Sequence, residues 1–257
     1  MQILSLIISI GLSVFGFVFS SKLFKWKCNL INAFKGGNVL VYGLRGKGKD
    51  LLMQYVVYCR KEEYFSNIDF GYDYNYLKLE DLVLKNTYEN FVNDNVNVIE
   101  KLDNREGKDI YISDIGNYLP SQYDKILHVK YSGLPIYFSL SRHVYNSNVH
   151  CNVQQLSRCW KPLREQCDTF IKCLETKKIF GLFILKFRMY DREQSAEEDL
   201  RPLKVGSLSK KEYKFRKEEF DSKYGEIKEG FLLIPKRILK YDTRVFHEKI
   251  FGYKFKE

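Results

Sequence analysis

The sequence predicts an α/β fold in which a mostly parallel sheet carries helices on both faces. Short apolar runs, typical of buried strands, alternate along the chain with segments of helical spacing. The clearest run, residues 39–42, is followed by a glycine-rich loop and then by apolar residues at helical spacing from Lys49 onward. Strand, glycine loop and helix in this order are the context that a phosphate-binding loop requires.

The loop itself, GLRGKGKD at residues 43–50, fits the pattern G-x-x-x-x-G-K, with Asp50 where Ser or Thr is usual. Glycines let the backbone turn so that its N–H groups converge on a phosphate, and a helix that begins near Lys49 adds the positive end of its dipole. A basic glycine turn without a ligand is the alternative. The residues predicted to contact a nucleotide are Gly43, Arg45, Gly46, Lys47, Gly48, Lys49, Asp50 and Leu51.

Residues 109–114, DIYISD, predict a second core strand that ends in Asp114. In a phosphate-loop fold such a residue holds Mg²⁺, and the Asp50 carboxylate is also a suitable ligand. We therefore predict ATP and Mg²⁺ as ligands, Asp50 and Asp114 as metal ligands, and Lys49 and Asp114 as catalytic residues. Ile115, rather than Glu, follows Asp114, which puts ordinary ATPase chemistry in question.

Four further polar residues are candidates for the same site. Residues 134–140 predict a third strand, at whose end Ser141 and Arg142 are candidate sensors of the γ-phosphate. Arg158 and Arg164 are candidate arginine fingers that reach the nucleotide of a neighbouring subunit. Plain surface positions on a basic protein are the alternative for all four.

The N-terminal residues 1–24 are predicted to be a transmembrane anchor. Residues 3–20 contain no charge, and the apolar segment is long enough to span a bilayer. A signal peptide lacks support, because no positive segment precedes the run and no good cleavage site follows it. Lys22, Lys25 and Lys27 flank the run, so the positive-inside rule places the N-terminus outside and the rest in the cytoplasm. Residues 25–37 are predicted to be a basic juxtamembrane linker.

The chain of 257 residues, with a net charge of +10, favours anionic partners such as nucleic acid or a membrane surface. Residues 38–200 are predicted to form the nucleotide-binding domain, and residues 201–257 a basic segment that completes or flanks it. Within that segment, residues 210–224 interleave charges and aromatics, which suits either a solvated helix or contact with DNA. None of the six cysteines forms a C-x-x-C pair, so free thiols are favoured over a metal site at His150 and Cys151.

The order of four motifs resembles a known family. They are GLRGKGKD at residues 43–50, YISD at 111–114, FSLSRH at 138–143 and KYDTRVF at 240–246. Together they resemble the zonular occludens toxin-like ATPases of filamentous phages, in the FtsK–HerA branch of phosphate-loop NTPases. Gly43, Gly48, Lys49 and Asp114 match that family's pattern by position.

The resemblance implies a RecA-like sheet, an oligomeric ring, and ATP-driven assembly or extrusion of phage at the host inner membrane. Single-stranded DNA and an export channel are the implied partners. Asp50, the absent Glu after Asp114, and an anchor placed before the domain depart from the family pattern. A membrane scaffold that binds nucleotide or DNA without hydrolysis is therefore the alternative. A cellular DNA-translocating ATPase is a third interpretation, which the small size disfavours.

Overall fold

The computed structural model describes residues 2–77, 107–121, 134–144, 146–191 and 228–238, with Glu193, Ala196, Glu218 and Ser222. For residues 2–15 and 17–19 the description covers the backbone alone. The sequence also predicts helices at residues 88–102 and 122–130, and these segments and the motif at 240–246 lie outside the described residues. Of residues 210–224, only Glu218 and Ser222 are described.

The described residues form one sheet of eight strands in the order β3-β2-β4-β5-β1-β6-β7-β8. Strands β1 to β6 pair in parallel, and β7 and β8 continue the sheet as an antiparallel meander. The sheet is therefore mixed, and its parallel part is the larger. The strands are β1 (Val39–Tyr42), β2 (Tyr64–Ser66), β3 (Tyr74–Tyr76), β4 (Asp109–Ile112), β5 (Val149–Val153), β6 (Thr169–Ile179), β7 (Leu182–Tyr190) and β8 (Lys228–Pro235).

Helices cover both faces of this sheet, as predicted. Val39 and Val41 of β1 belong to one core with residues of α1 and α2, whereas Leu40 and Tyr42 belong to a second core with residues of α3. Alternate side chains of a strand point to opposite faces, so β1 lies at the centre of both cores. The helices are α1 (Gln2–Gly36), α2 (Lys49–Arg60), α3 (Leu134–Val144) and α4 (Lys161–Arg164), with 3₁₀ turns at Ile115–Asn117, Leu156–Arg158 and Lys236–Ile238.

Helix α1 continues through residues 25–36, within the segment predicted to be a basic juxtamembrane linker. Leu30 and Phe34 are completely buried in the core, and the Trp26 ring meets the Phe187 ring edge-on at 6.2 Å. Residues 26, 30 and 34 share one face of a helix, and that face packs against the sheet. Among the described residues, no helix has both the length and the apolar character that crossing a membrane requires.

Residues 134–140 form helix α3, so the strand predicted there is wrong. Leu134, Tyr137, Phe138 and Ser141 are buried, whereas Leu140 is exposed. Buried positions at i, i+3, i+4 and i+7 are helical spacing, which the β-branched and aromatic composition of the segment concealed. A smaller difference concerns residues 69–76, whose content of Tyr, Asp and Asn predicts a loop, because β3 lies within them.

A buried ionic cluster holds the amino ends of β4 and β5 against the end of α2. Asp109 accepts hydrogen bonds from the Arg60 guanidinium and from the Asn148 N–H at 2.9 Å, and its carboxylate lies 3.1 Å from His150 Nε2. The Phe34 ring covers the imidazole at 4.7 Å between centroids. Burial lowers the pKa of His150, against the opposing pull of Asp109. Burial alone would raise the pKa of Asp109, but the His150 hydrogen bond and the Arg60 charge hold it below its usual value.

Acidification from pH 7.5 to pH 5.5 should lower the free energy of unfolding. The His150 pKa is lower in the folded than in the unfolded chain, so the unfolded state binds the extra proton and stability falls as pH drops. The loss should approach about 1.4 kcal/mol per pH unit below the unfolded pKa. Thermal unfolding of wild type and H150Q over this range measures it. The H150Q curve should be flatter, and identical curves would contradict the assignment.

Candidate nucleotide-phosphate site

Three chain segments that follow parallel strands meet at one edge of the sheet. The β1 strand pairs with β5, and β5 pairs with β4, so their carboxyl ends lie side by side. The register places Tyr42 beside Val153, and Ile112 beside Cys151. Crevices at the carboxyl ends of parallel strands are where open α/β sheets bind ligands.

The glycine loop after β1 packs tightly against the β6–β7 hairpin. Gly46 and Gly48 have φ values of 76° and 89°, which other residues adopt only with strain. A Cβ on Gly48 would lie 2.8 Å from Leu185 Cδ1, and one on Gly43 would lie 2.6 Å from the Cys173 carbonyl oxygen. The Thr176 hydroxyl donates a hydrogen bond to the Lys47 carbonyl at 2.9 Å. The loop shape therefore depends on glycine at two close contacts.

The start of α2 has the character of an anion site. The helix begins at Lys49, and no side chain in the described part of the chain caps it. Its first N–H groups have no partner within the helix, and they carry the positive end of the dipole. Lys49 is only 7% exposed. A lysine held beside free helix N–H groups adds positive charge to the same place, so an anionic ligand fits here.

The other residues predicted to contact a nucleotide differ in how far their side chains are exposed to solvent. Arg45 is exposed and Lys47 is half-buried, so both remain accessible to a phosphate. The Leu51 side chain belongs to the hydrophobic core, so it can contact a ligand only through its backbone.

Asp50, in the first turn of α2, contacts the ends of β4 and β5. Its Oδ1 accepts a hydrogen bond from the Ser113 hydroxyl at 3.0 Å and another from Asn152 Nδ2 at 2.8 Å. Asn152 is completely buried, and its own Oδ1 accepts the Asp114 N–H at 2.9 Å. One amide side chain thus connects the helix to the strand-end turn.

Asp114 lies next to this group in a left-handed turn, with φ of 50°. Aspartate is among the few residues that adopt this conformation readily. Burial raises the pKa of Asp114, the Asp50 charge raises it further, and Lys49 opposes both. Two carboxylates and an ammonium therefore act on one another at this edge of the sheet.

A cleft of about 340 Å³ begins at Asp114. Arg158, a predicted arginine finger, lines the same cleft as Asp114 of its own chain. A Cβ on Gly116 would lie 2.9 Å from Val153 Cγ2, so a small residue at this position leaves the wall intact. The cleft is lined by Asp114, Gly116, Asn117, Pro120, Ser121, Val153, Gln154 and Arg158.

Three other residues predicted to belong to the site lie away from the glycine loop and Asp114. Arg164 is buried and paired with Glu193 at 3.1 Å, so it is not placed to reach a neighbouring subunit. Ser141 is buried in α3 and donates to the Phe138 carbonyl, and Arg142 pairs with Asp168. Asp168 also accepts the Asn38 N–H, at the amino end of β1, which is the edge opposite the glycine loop. The sensor prediction is therefore wrong, because the strand assumed to carry those residues is a helix.

The oxygen donors at the edge fit a magnesium ion shared with a nucleotide. Asp50, Ser113 and Asp114 supply carboxylate and hydroxyl oxygens, the ligand type that Mg²⁺ prefers. No group of three or more acidic, His or Cys side chains among the described residues could hold a metal alone. Mg²⁺ in nucleotide sites is commonly held by one or two protein ligands, phosphates and waters, which agrees with this donor set.

Sequence reasoning missed Ser113, Asn152 and Thr176. Ser113 precedes Asp114, the residue that the strand-end pattern selected. Thr176 ends a segment, residues 167–176, whose composition predicts an extended chain and gives no sign of a part in the site. Asn152 did leave a signal, because it is an amide in the middle of a buried strand segment, VHCNV. Buried polar side chains need partners, so such a residue indicates a nearby polar site.

The described chain has a mixed α/β sheet, and the loop between β1 and α2 fits the pattern G-x-x-x-x-G-K of phosphate-binding loops. No protein-family model matches the chain. No curated protein matches it either. Among solved structures, the N-terminal domain of zonular occludens toxin from Neisseria meningitidis is similar over 79% of this chain and 96% of that one, with 11% identity and a TM-score of 0.45.

A second similar structure is the genome packaging NTPase B204 from Sulfolobus turreted icosahedral virus 2, in complex with ATP-gammaS. It matches over 61% of this chain and 93% of that one, with 14% identity and a TM-score of 0.37.

Replacing Asn152 with alanine should destabilise the fold by about 1–3 kcal/mol, because the Asp114 N–H then loses its acceptor in a partly buried place. Urea unfolding of N152A and wild type measures the difference. N32A, at an exposed position of α1, is the matched control and should unfold like wild type. Equal stability of N152A and wild type would show that Asn152 does not hold this turn.

Proposed function

We propose that this protein is a membrane-anchored P-loop ATPase that drives the assembly and extrusion of single-stranded DNA phage virions. The observation that carries the ATPase part is the position of Lys49, a little-exposed lysine at the uncapped start of α2, directly after the glycine loop. A triphosphate supplies acceptor oxygens for this side chain. The carboxylates of Asp50 and Asp114 then lie where an accompanying Mg²⁺ is needed.

The roles of the residues follow from their positions. The amides of the glycine loop and the start of α2 bind phosphate oxygens, and Lys49 contacts the β- and γ-phosphates. Bound Mg²⁺ neutralises charge on the phosphates. Asp114 lines the cleft, and we assign to it the side of the site from which a water reaches the γ-phosphate. Arg158, which lines the cleft, is the candidate arginine finger of an oligomeric ring.

Phage assembly and membrane attachment are supported by the sequence. The four motifs resemble those of phage morphogenesis ATPases, the net charge of +10 suits nucleic acid, and residues 3–20 carry no charge. We place the protein in the host inner membrane, with the N-terminus outside and the ATPase domain in the cytoplasm. Residues 26–34 of the same helix pack on the sheet, so the proposed anchor and the domain share one helix.

A scaffold that binds nucleotide without hydrolysis is the second candidate. The observation that favours it is Asp50, a carboxylate at the position where this loop usually has a hydroxyl. Binding without phosphate release separates this candidate from the ATPase.

The K49A variant should bind a fluorescent ATP analogue at least about tenfold more weakly than wild type, because charge-assisted contacts to phosphate are lost. The full chain in detergent, with Mg²⁺ present, is titrated by fluorescence anisotropy, and phosphate release is followed on the same samples. K35A removes an exposed lysine at the end of α1 and should match wild type. Equal affinity of K49A and wild type would contradict the proposal. If wild type binds the analogue but releases no phosphate, the scaffold is favoured over the ATPase.

The membrane assignment predicts that the full chain, expressed in bacteria, stays in the membrane pellet after alkaline carbonate extraction. Charged residues at the centre of a span cost about 2.5–3.5 kcal/mol each, so I8R/L12R should move the protein to the supernatant. I8A/L12A keeps the run uncharged and should stay in the pellet. Wild-type protein in the supernatant would contradict the anchor.

A further inference from the structure

We propose that Asp50 and Ser113 have exchanged the two groups that hold Mg²⁺ in P-loop sites, and that Asp114 instead orients the attacking water. This inference rests on the proposed ATPase function. In P-loop NTPases a Ser or Thr hydroxyl at the helix start and an Asp carboxylate at a strand end hold the metal. Here the helix start supplies the carboxylate and the strand end supplies the hydroxyl.

The contact between the two side chains is the first support. Ser113 is the residue directly after β4 and is 2% exposed, and its hydroxyl donates to Asp50 Oδ1 at 3.0 Å. Asn152 Nδ2 lies 2.8 Å from the same Oδ1 and 3.3 Å from the Ser113 hydroxyl oxygen. The site therefore contains a hydroxyl in contact with a carboxylate, as in the usual arrangement. The difference is that the hydroxyl comes from the strand end and the carboxylate from the helix start.

The backbone of Ser113 is held independently of its side chain. Its N–H donates to Asn67 Oδ1 at 2.8 Å, and its carbonyl accepts from Asn67 Nδ2 at 3.0 Å. Asn67 follows β2, the strand next to β4 in the sheet. Because both backbone groups are fixed, the hydroxyl oxygen has a defined place relative to the start of α2, as a metal ligand requires.

Asp114 has a different environment from Ser113. Its left-handed backbone, with the N–H bonded to Asn152, places it at the wall of the cleft with Gln154 and Arg158. A carboxylate at this position accepts a hydrogen bond from a water that approaches the γ-phosphate. The Glu that sequence reasoning found missing after Asp114 is then not needed, because Asp114 itself takes that place.

The chemical step is hydrolysis of the terminal phosphoanhydride. The water oxygen forms a bond to the γ-phosphorus, and the bond from the γ-phosphorus to the bridging oxygen breaks. ADP leaves with the bridging oxygen, and a water proton ends on the released phosphate. Asp114 positions the water during this displacement, while Lys49 stays on the phosphate oxygens.

The exchange is tested by returning the hydroxyl to position 50 and the carboxylate to position 113. Wild type, D50S, S113D and D50S/S113D are compared for the ratio of fluorescent-ATP affinity with Mg²⁺ to that with EDTA. D50S loses a carboxylate and S113D crowds a third one into the site, so each single variant should lose about tenfold or more of the Mg²⁺ effect. The double variant restores one carboxylate and one hydroxyl, so it should return to within about threefold of wild type. Circular dichroism melts confirm that each variant is folded.

Asp114 is tested separately with D114N. This variant should keep the Mg²⁺ effect on nucleotide affinity and lose about 10²-fold or more of phosphate release, because it removes the water contact and not the metal pair. Loss of the Mg²⁺ effect in D114N would restore Asp114 as a metal ligand and overturn the inference.

The outcomes for the exchange are distinct from those for the proposed function. A double variant no better than D50S, together with an unchanged Mg²⁺ effect in S113A, would overturn the exchange while the wild-type ATPase stands. D50S alone reaching or exceeding wild-type Mg²⁺ dependence would overturn it as well. A wild-type chain that binds no nucleotide would remove both the function and the exchange.

Discussion

The hydrogen bonds that Asn152 makes to Asp50 and Asp114 are the constraint on which the site depends. Asp50 belongs to α2, Asp114 to the turn after β4, and Asn152 to β5. Three segments far apart in sequence are therefore fixed by one buried amide. Because that amide has no solvent to replace a lost partner, the distance between the helix start and the strand-end turn has little freedom.

The opposite end of α2 is held in a similar way. Arg60 is the last residue of the helix, and it pairs with Asp109 at the start of β4, beside His150 of β5. The helix is thus bonded to β4 at its last residue, and to β5 and the turn after β4 in its first turn, about 18 Å away. Polar contacts set the position of α2 along the strands, while apolar packing between the helix and the sheet supplies the bulk of the burial.

The sequence was most informative where backbone chemistry leaves a signature in residue type. Glycines at required turns, with lysines between them, located the loop and the start of α2 without any structure. The strand ending near Asp114 and the long extended segments of β6 and β7 were also recognisable from composition. These features are local, and local rules are enough to find them.

The sequence did not predict the features that depend on contacts between residues distant along the chain. Residues 134–140 have strand-like composition, but their contacts with the sheet follow helical spacing. Phe34 and Leu30 looked like part of a surface linker because nothing in their neighbourhood shows that a sheet covers them. The pairing of Ser113 with Asp50 joins positions 63 residues apart, and one sequence does not record such a contact.

The attachment of the glycine loop to the β6–β7 hairpin has a mechanical consequence. Thr176 bonds the loop backbone, and a few residues further on the hairpin ends in Phe180, whose side chain is fully exposed. A displacement of the loop backbone at Lys47 therefore acts directly on β6, and the end of the hairpin beyond it presents an aromatic ring at the surface.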